Sequence, residues 1–263
     1  MKKLILKTAL LACAAIAGNA QALAVAGQGT WETTLLGRDI NGAAVTARDG
    51  DGVLHESAVF LYDDVLKITW LRYVYGNPRD WSQAVTWAAD LEVGAYDGWR
   101  LPAMTATPNA SYRNDGGTDN GYNVRTKSGI ATQYQAGQTV YSEMAHLWYS
   151  TLGNLAYCTP GYLFCDSAQS GWGMSNNGDF QNLAPDTFWS GLAYDSDTAW
   201  RFNAEDGRQG FYSKVEQFEE KPYAMAVLDG DVLVSAIPEP ETYALMLAGL
   251  AVVGAAAKRR KAK

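Results

Sequence analysis

The stretch Gly94-Ala-Tyr-Asp-Gly-Trp-Arg-Leu-Pro102 decides how the rest of the chain is arranged. A tryptophan-rich segment with an apolar face leads into it, and its Asp-Gly pair predicts a turn. Trp99, Leu101 and Pro102 follow that turn, and we expect them to enter the core. The stretch is therefore predicted to be the hinge of the domain.

The residues before this hinge predict a hairpin and a helix. Ala58–Tyr62 and Leu66–Tyr75 are rich in β-branched and aromatic residues, and a polar turn separates them. Asp80 can cap a helix whose apolar residues recur every three or four positions. Gly94 is predicted to end that helix.

Strands are also predicted near both ends of the body. Gly27–Ile40 reads as an early strand that could pair with the end of the domain. Tyr223–Leu228 and Val232–Ser235 read as the closing strands. Thr139–Thr151 has its apolar residues at helical spacing, and Asn109–Gln138 is predicted to be a long polar surface loop.

Composition and charge narrow the class of protein. The 263 residues include 26 glycines, 9 tryptophans and 15 tyrosines, which favours a loop-rich α+β or mostly-β fold. Of the 28 acidic and 21 basic residues, two acidic and eight basic ones lie in the terminal segments. The body between them therefore holds 26 acidic and 13 basic residues, and such a surface disfavours nucleic acid as a partner.

The N-terminal segment 1–24 has the pattern of a cleaved secretory signal. Three lysines precede an apolar run that is too short for a stable membrane span, and small-residue sites at Ala20–Ala22 and Ala22–Ala24 follow it. We predict that residues 25–236 form one extracellular domain.

The C-terminal segment 237–263 has three parts: Ile237-Pro-Glu-Pro-Glu-Thr-Tyr243, the apolar stretch Ala244–Ala257 and the basic end Lys258–Lys263. The apolar stretch would cover about 21 Å as a helix, against roughly 30 Å of hydrocarbon, so it predicts a short transmembrane helix. The basic end predicts a cytoplasmic terminus. A simple tail anchor is one interpretation of this pattern.

This tail resembles the PEP-CTERM sorting signal of Gram-negative bacteria. The resemblance implies that Pro238, Glu239 and Pro240 are read by a sorting protease of the exosortase type, which removes the tail. It also implies a membrane-anchored precursor that reaches the cell surface or the biofilm matrix, with exopolysaccharide as a candidate partner. This resemblance concerns the cellular destination of the protein and not its activity.

The body resembles the Lcl C-terminal-type domain, a C-type-lectin-like family of unknown function. The residues that carry the resemblance are Gly98, Trp99, Arg100, Leu101 and Pro102, with support from Leu147–Thr151, Phe188–Gly191, Ala199–Phe202, the Asp206–Gly207 turn and Tyr223–Val227. It implies mixed antiparallel sheets with one or two helices, long loops, aromatic-Trp-Ser strands and a last hairpin. The chain departs from the family after Pro102, where a polar loop replaces the usual Glu-Leu helix.

Cys158 and Cys165 are expected to form a disulfide. The chain is exported in this interpretation, and its third cysteine lies in the signal segment. The closed loop is short, so the stabilisation expected is about 2 to 3 kcal/mol.

No metal centre is predicted from the sequence. The chain has two histidines, and neither has partners at the spacing of a zinc site. Asp39, Asn41, Asp49 and Asp51 are hard oxygen donors, which leaves calcium open as a ligand, although their spacing also suits a solvated turn. Asp195 and Asp197 could likewise bind a cation or belong to a solvated turn.

Three functions follow from these patterns. The first is a non-catalytic extracellular module that binds exopolysaccharide or another matrix component, with Trp172 as a sugar platform if it faces solvent. The second is a structural module for protein contacts. The third is an enzyme, for which Asp63 and Asp64 are an unplaced carboxylate pair and no nucleophile elbow or histidine-based triad is present.

Overall fold

The structure is a computed structural model that describes residues 29–50, 52–74, 77–105, 140–157, 166–215 and 221–233. Within these ranges two antiparallel sheets pack with a few short helices, which confirms the predicted α+β class. The strands are β1 (Leu35–Arg38), β2 (Ala44–Val45), β3 (Phe60–Asp63), β4 (Ile68–Leu71), β5 (Thr187–Ala193), β6 (Thr198–Asn203), β7 (Gln209–Ser213) and β8 (Val227–Asp229). The helices are α1 (Trp31–Thr34), α2 (Trp81–Ala89), α3 (Glu143–Ala145) and a π-helix (His146–Thr151).

The larger sheet has the order β2-β1-β3-β4-β8. The predicted hairpin is its centre: β3 and β4 pair antiparallel, with Phe60 opposite Leu71. All four residues of β4 are buried because both faces of this strand are covered. Trp70 points into the main core, whereas Leu71 packs in a second cluster with Trp99.

Helix α2 confirms the helix predicted after Asp80. The Gln83 side chain accepts a hydrogen bond from the Asp80 backbone N–H at 3.2 Å, which fixes the first turn. Ala84 and Ala88 are fully buried, and their small side chains let the helix approach Trp189 of the second sheet. The helix ends at Ala89 and not at Gly94, which lies in the following turn.

The second sheet has the order β5-β6-β7. Its first strand also receives the segment that leads to β8: the Trp189 N–H donates to the Tyr223 carbonyl, and the Tyr223 N–H donates to that of Thr187. This segment then enters the larger sheet, where Val227 pairs with Trp70. One extended stretch thus joins the two sheets around their shared core.

Several strand predictions were wrong. Trp31–Thr34 is a helical turn, and the strand after it pairs with β2 and β3 and not with the end of the domain. Leu147–Thr151 belongs to a π-helix, because Trp148 and Tyr149 pack side by side against Phe202 where a strand would point them to opposite faces. The closing strand is shorter than predicted, Val227–Asp229.

Gly94 requires a left-handed backbone, with φ of +64°. An added Cβ would lie 2.8 Å from the Ile40 carbonyl oxygen, closer than real Cβ contacts allow. Gly98 also has positive φ, +77°, but its added Cβ would meet nothing closer than 3.8 Å.

Gly94→Ala is therefore expected to lower the free energy of unfolding by about 2 to 3 kcal/mol, and Gly98→Ala by about 1 kcal/mol. Urea unfolding followed by tryptophan fluorescence measures both values. Equal losses for the two variants would show that the contact with Ile40 has no cost.

A buried polar cluster ties loops to β4. Arg72 is 1% exposed, and its guanidinium donates to the carbonyls of Asp179, His55, Ala58 and Leu54. Burial lowers the pKa of Arg72, an effect that Asp179 opposes. Arg48 donates through both terminal nitrogens to the Asp179 carboxylate, at 2.8 and 3.0 Å. The cluster therefore connects the loops that carry Leu54 and Asp179 to the residue that follows β4.

Asp63 ends β3 and is fully buried. Its Oδ1 accepts from the N–H groups of Val65 and Leu66 at 3.0 and 2.9 Å, whereas Oδ2 has no hydrogen bond of acceptable geometry. Burial raises the pKa of Asp63 to about 6. The two backbone donors lower this pKa, and the Trp70 indole lowers it slightly, but burial outweighs both. A fully buried carboxylate is not accessible to a substrate in this conformation.

The last described residues are fastened to the body. Arg38 donates to both carboxylate oxygens of Asp231, at 3.0 and 2.7 Å. The Tyr96 hydroxyl donates to the Val232 carbonyl at 2.9 Å, and the Val232 side chain is buried. Within the described residues, the contacts of the body therefore extend at least to Val232.

Candidate functional site

Among the described residues, three exposed rings lie on or next to the edge strand β7: those of Tyr194, Phe211 and Tyr212. It follows β6 through a turn in which Asp206 Oδ1 accepts from the Arg208 N–H at 2.9 Å and Gly207 has φ of +78°. A side chain at Gly207 would collide with Trp148 and Tyr149, so the turn requires glycine there. In the described ranges β7 pairs with β6 on one side and with no strand on the other.

One face of this edge holds an aromatic stack. The rings of Tyr194 and Phe211 lie 4.1 Å apart and nearly parallel, at 7°. Both contact the buried Trp200 edge-to-face. Tyr194 and Phe211 are nevertheless 38% and 39% exposed, so a fixed apolar plate faces solvent.

The opposite face holds a polar notch of about 200 Å³. Arg201 and Tyr212 form one wall, with the guanidinium over the tyrosine ring. Gly210 lies opposite Arg201 in the strand register and provides a floor without a side chain. The other lining residues are Asn203, Arg208, Gln209 and Phe211.

The two arginines of the notch lack the close carboxylate partner that other arginines of the body have. Arg38, Arg48 and Arg100 each pair with a carboxylate within 3 Å. The Arg201 guanidinium has no hydrogen bond or ion pair with any residue that the structure describes, only the Tyr212 ring. Arg208 comes no nearer than 3.7 Å to the Asp206 carboxylate, which is beyond hydrogen-bond distance.

The Trp-Arg-Leu-Pro stretch has a structural position. Trp99 and Leu101 are 2% and 3% exposed, and the Trp99 ring stacks on Phe60. Arg100 pairs with Glu143 and Asp229, and the hydrogen bonds to Glu143 are the main reason that its pKa is raised. An apolar pocket of about 290 Å³ lies between this stretch and α2.

The other predicted site residues do not converge. Trp172 is 39% exposed, so it meets the condition set for a sugar platform, and its ring packs edge-to-face on Tyr157, apart from the other candidates. Asp39 and Asp195 accept hydrogen bonds from the backbone two residues ahead, which identifies them as turn-forming carboxylates. The described residues contain no group of three or more histidine, cysteine or acidic side chains placed to hold a metal ion.

Several predictions lie outside the described residues. They concern the signal segment 1–24, the Asp51 side chain, the polar loop Asn109–Gln138, the disulfide of Cys158 and Cys165, the motif Pro238, Glu239 and Pro240, and the apolar stretch Ala244–Ala257. Among the helices that the structure describes, none has the length and apolar character needed to cross a membrane.

The tail has the proline-acid-proline triplet, the apolar stretch and the basic end in the order of a sorting signal. Residues 236–261 match the PEP-CTERM protein-sorting motif. The predicted sorting signal is thereby confirmed, and it indicates exosortase-dependent export with processing of a membrane-anchored precursor. No curated protein and no solved structure matches the chain. The comparisons therefore add no support to the lectin-like resemblance of the body.

Sequence reasoning missed the residues that line the notch. It found β6 and the Asp206–Gly207 turn but joined them to Tyr223–Val227 as the last hairpin. The true partner is Gln209–Ser213, directly after the turn. The signal was present, since five residues that include Phe211 and Tyr212 follow an Asp-Gly turn at hairpin spacing.

Proposed function

We propose that the chain is an exported protein of the cell surface or biofilm matrix whose body is a non-catalytic module for exopolysaccharide. The sorting motif gives the address, and the ligand site is the β7 edge. The lectin-like arrangement inferred from the Trp-Arg-Leu-Pro stretch is part of this proposal.

The observation that carries the proposal is the exposed stack of Tyr194 and Phe211 on a rigid support. Burying large rings is the normal outcome of folding, and these rings remain 38% and 39% exposed beside a buried tryptophan. A sugar ring has an apolar face of C–H groups that can pack on such a plate, while its hydroxyl groups reach polar side chains at the same edge. Calcium is not required in this arrangement.

A second candidate function is a structural contact with another protein. It is favoured by the strand order, because β7 has a free edge among the described strands and could pair with a strand of a partner. The two candidate functions differ in the ligand that would compete for the β7 edge. For the first function it is soluble polysaccharide, and for the second it is a protein of the matrix.

Phe211→Ala is expected to weaken binding of polysaccharide from the source organism about fivefold to tenfold, because the variant removes one half of the plate. Affinity electrophoresis with and without a chelator measures the loss. Tyr73→Ala is the matched control, since Tyr73 is an aromatic residue with nearly the same exposure, 40%. Failure of the unaltered protein to bind any polysaccharide would overturn the proposal.

A further inference from the structure

We propose that the notch beside Tyr212 binds a carboxylate group of an acidic polysaccharide, with Arg201 and Arg208 as the hydrogen-bond donors. This inference rests on the proposed function and names the class of sugar that the same edge selects. It goes beyond the aromatic plate, which lies on the other face of β7 and does not distinguish neutral from acidic chains.

The first argument is the unused charge of Arg201. The body has twice as many acidic as basic residues, so a partner for a cation is easily found, and Arg38, Arg48 and Arg100 each have one. The Arg201 guanidinium instead stacks on Tyr212 and pairs with no carboxylate of the described residues. Its stacked position leaves the donor edge of the planar group available, and that edge matches a carboxylate through two parallel hydrogen bonds.

The second argument is the glycine floor. Gly210 has an ordinary strand backbone, and an added Cβ would meet only the Tyr212 ring at 3.5 Å, so the fold does not need glycine there. Any larger residue would fill the space opposite Arg201. Glycine therefore keeps the notch open at the position opposite Arg201.

The volume of the notch and the acidic charge of the body limit which acidic polymer the notch can bind. A notch of about 200 Å³ is smaller than the roughly 300 to 1,000 Å³ of sites for drug-sized ligands, so it suits one substituent of one sugar unit. The acidic body repels densely charged chains such as nucleic acid, and this repulsion is screened beyond about 10 Å at 0.1 M salt. A polysaccharide with at most one carboxylate per unit is the polyanion that such a surface tolerates.

The test compares two polymers with one backbone: polygalacturonate and its fully methyl-esterified form. Isothermal titration calorimetry of the full-length protein is expected to show at least tenfold tighter binding of the acid form at 0.1 M salt, with the preference reduced at 1 M. Arg201→Gln is expected to lower affinity for polygalacturonate about tenfold and to leave the ester unchanged. Gly210→Val is expected to remove the preference by filling the notch.

Arg79→Gln is the matched control, because Arg79 is also stacked on a ring, that of Trp87, and the variant loses the same charge outside the lining of the notch. Equal binding of the acid and ester forms would overturn the inference and leave the proposed function standing. An equal loss in Arg79→Gln and Arg201→Gln would also overturn it, because the effect would then be one of overall charge. Binding of neither polymer, nor of the organism's own polysaccharide, would overturn both. If Gly210→Val does not fold, the two arginine variants decide the outcome.

Discussion

Replacing Arg72 with methionine is expected to lower the free energy of unfolding by about 4 kcal/mol or more. The variant leaves the buried carbonyl oxygens of Asp179, Ala58 and Leu54 without their charged donor. The partly buried carbonyl of His55 loses its donor as well. Each orphaned buried polar group costs on the order of 1 to 3 kcal/mol, and the methionine chain recovers only part of the loss by apolar packing. Native domains have about 5 to 15 kcal/mol in total, so the variant is expected to be at the limit of folding.

Urea unfolding monitored by tryptophan fluorescence measures this loss, and two variants make it specific. Arg72→Lys is expected to be almost as damaging, because one ammonium group cannot reach carbonyls spread around a planar fork. Arg79→Met, at a surface position over Trp87, is expected to cost less than about 1 kcal/mol. A loss below 1 kcal/mol for Arg72→Met would mean that water replaces the guanidinium at these carbonyls.

Asp63 is expected to make the stability of the protein fall as the pH rises from about 4 to about 6. Burial raises the pKa of Asp63 to about 6 in the folded state, against about 3.9 in an unfolded chain. Between these values the folded protein therefore holds the proton more tightly than the unfolded chain does. The neutral acid is fully stabilising below pH 4, and about 3 kcal/mol is lost once the group ionises above pH 6.

Asp63→Asn isolates this effect, because the amide oxygen can still accept from the N–H groups of Val65 and Leu66. The difference in unfolding free energy between the variant and the unaltered protein is expected to shift by about 2 kcal/mol in favour of the variant between pH 4 and pH 6.5. Any constant cost of the amide beside Trp70 cancels in this comparison. A difference that stays constant over the range would show that water or a local rearrangement solvates the carboxylate.

The elements that could be predicted from the sequence are those that local pattern determines. The β3–β4 hairpin and α2 follow from runs of β-branched residues and from apolar recurrence after Asp80. The π-helix could not be separated from a strand or an α-helix, because Leu147–Thr151 is compatible with each and its packing against Phe202 decides. The pairing of Val227 with Trp70 is likewise settled by tertiary contacts far apart in sequence.

The candidate site was harder to predict than the fold for a physical reason. Nothing in the sequence separates Arg72, which is buried among carbonyls, from Arg201, which stacks on an exposed ring. The difference depends on the groups that surround each guanidinium, and these groups come together only when the sheets have formed. The tail is the opposite case, because Pro238, Glu239 and Pro240 are recognisable as a linear motif that needs no fold.

The clamp formed by Arg38 and Tyr96 on Asp231 and Val232 limits how a processing enzyme can approach the chain. Pro238 is five residues beyond Leu233, and five extended residues span at most about 18 Å. An enzyme that binds the motif must therefore fit beside the folded body, within about 18 Å of Leu233. The distance between Leu233 and the motif is therefore short in any conformation of the connecting residues.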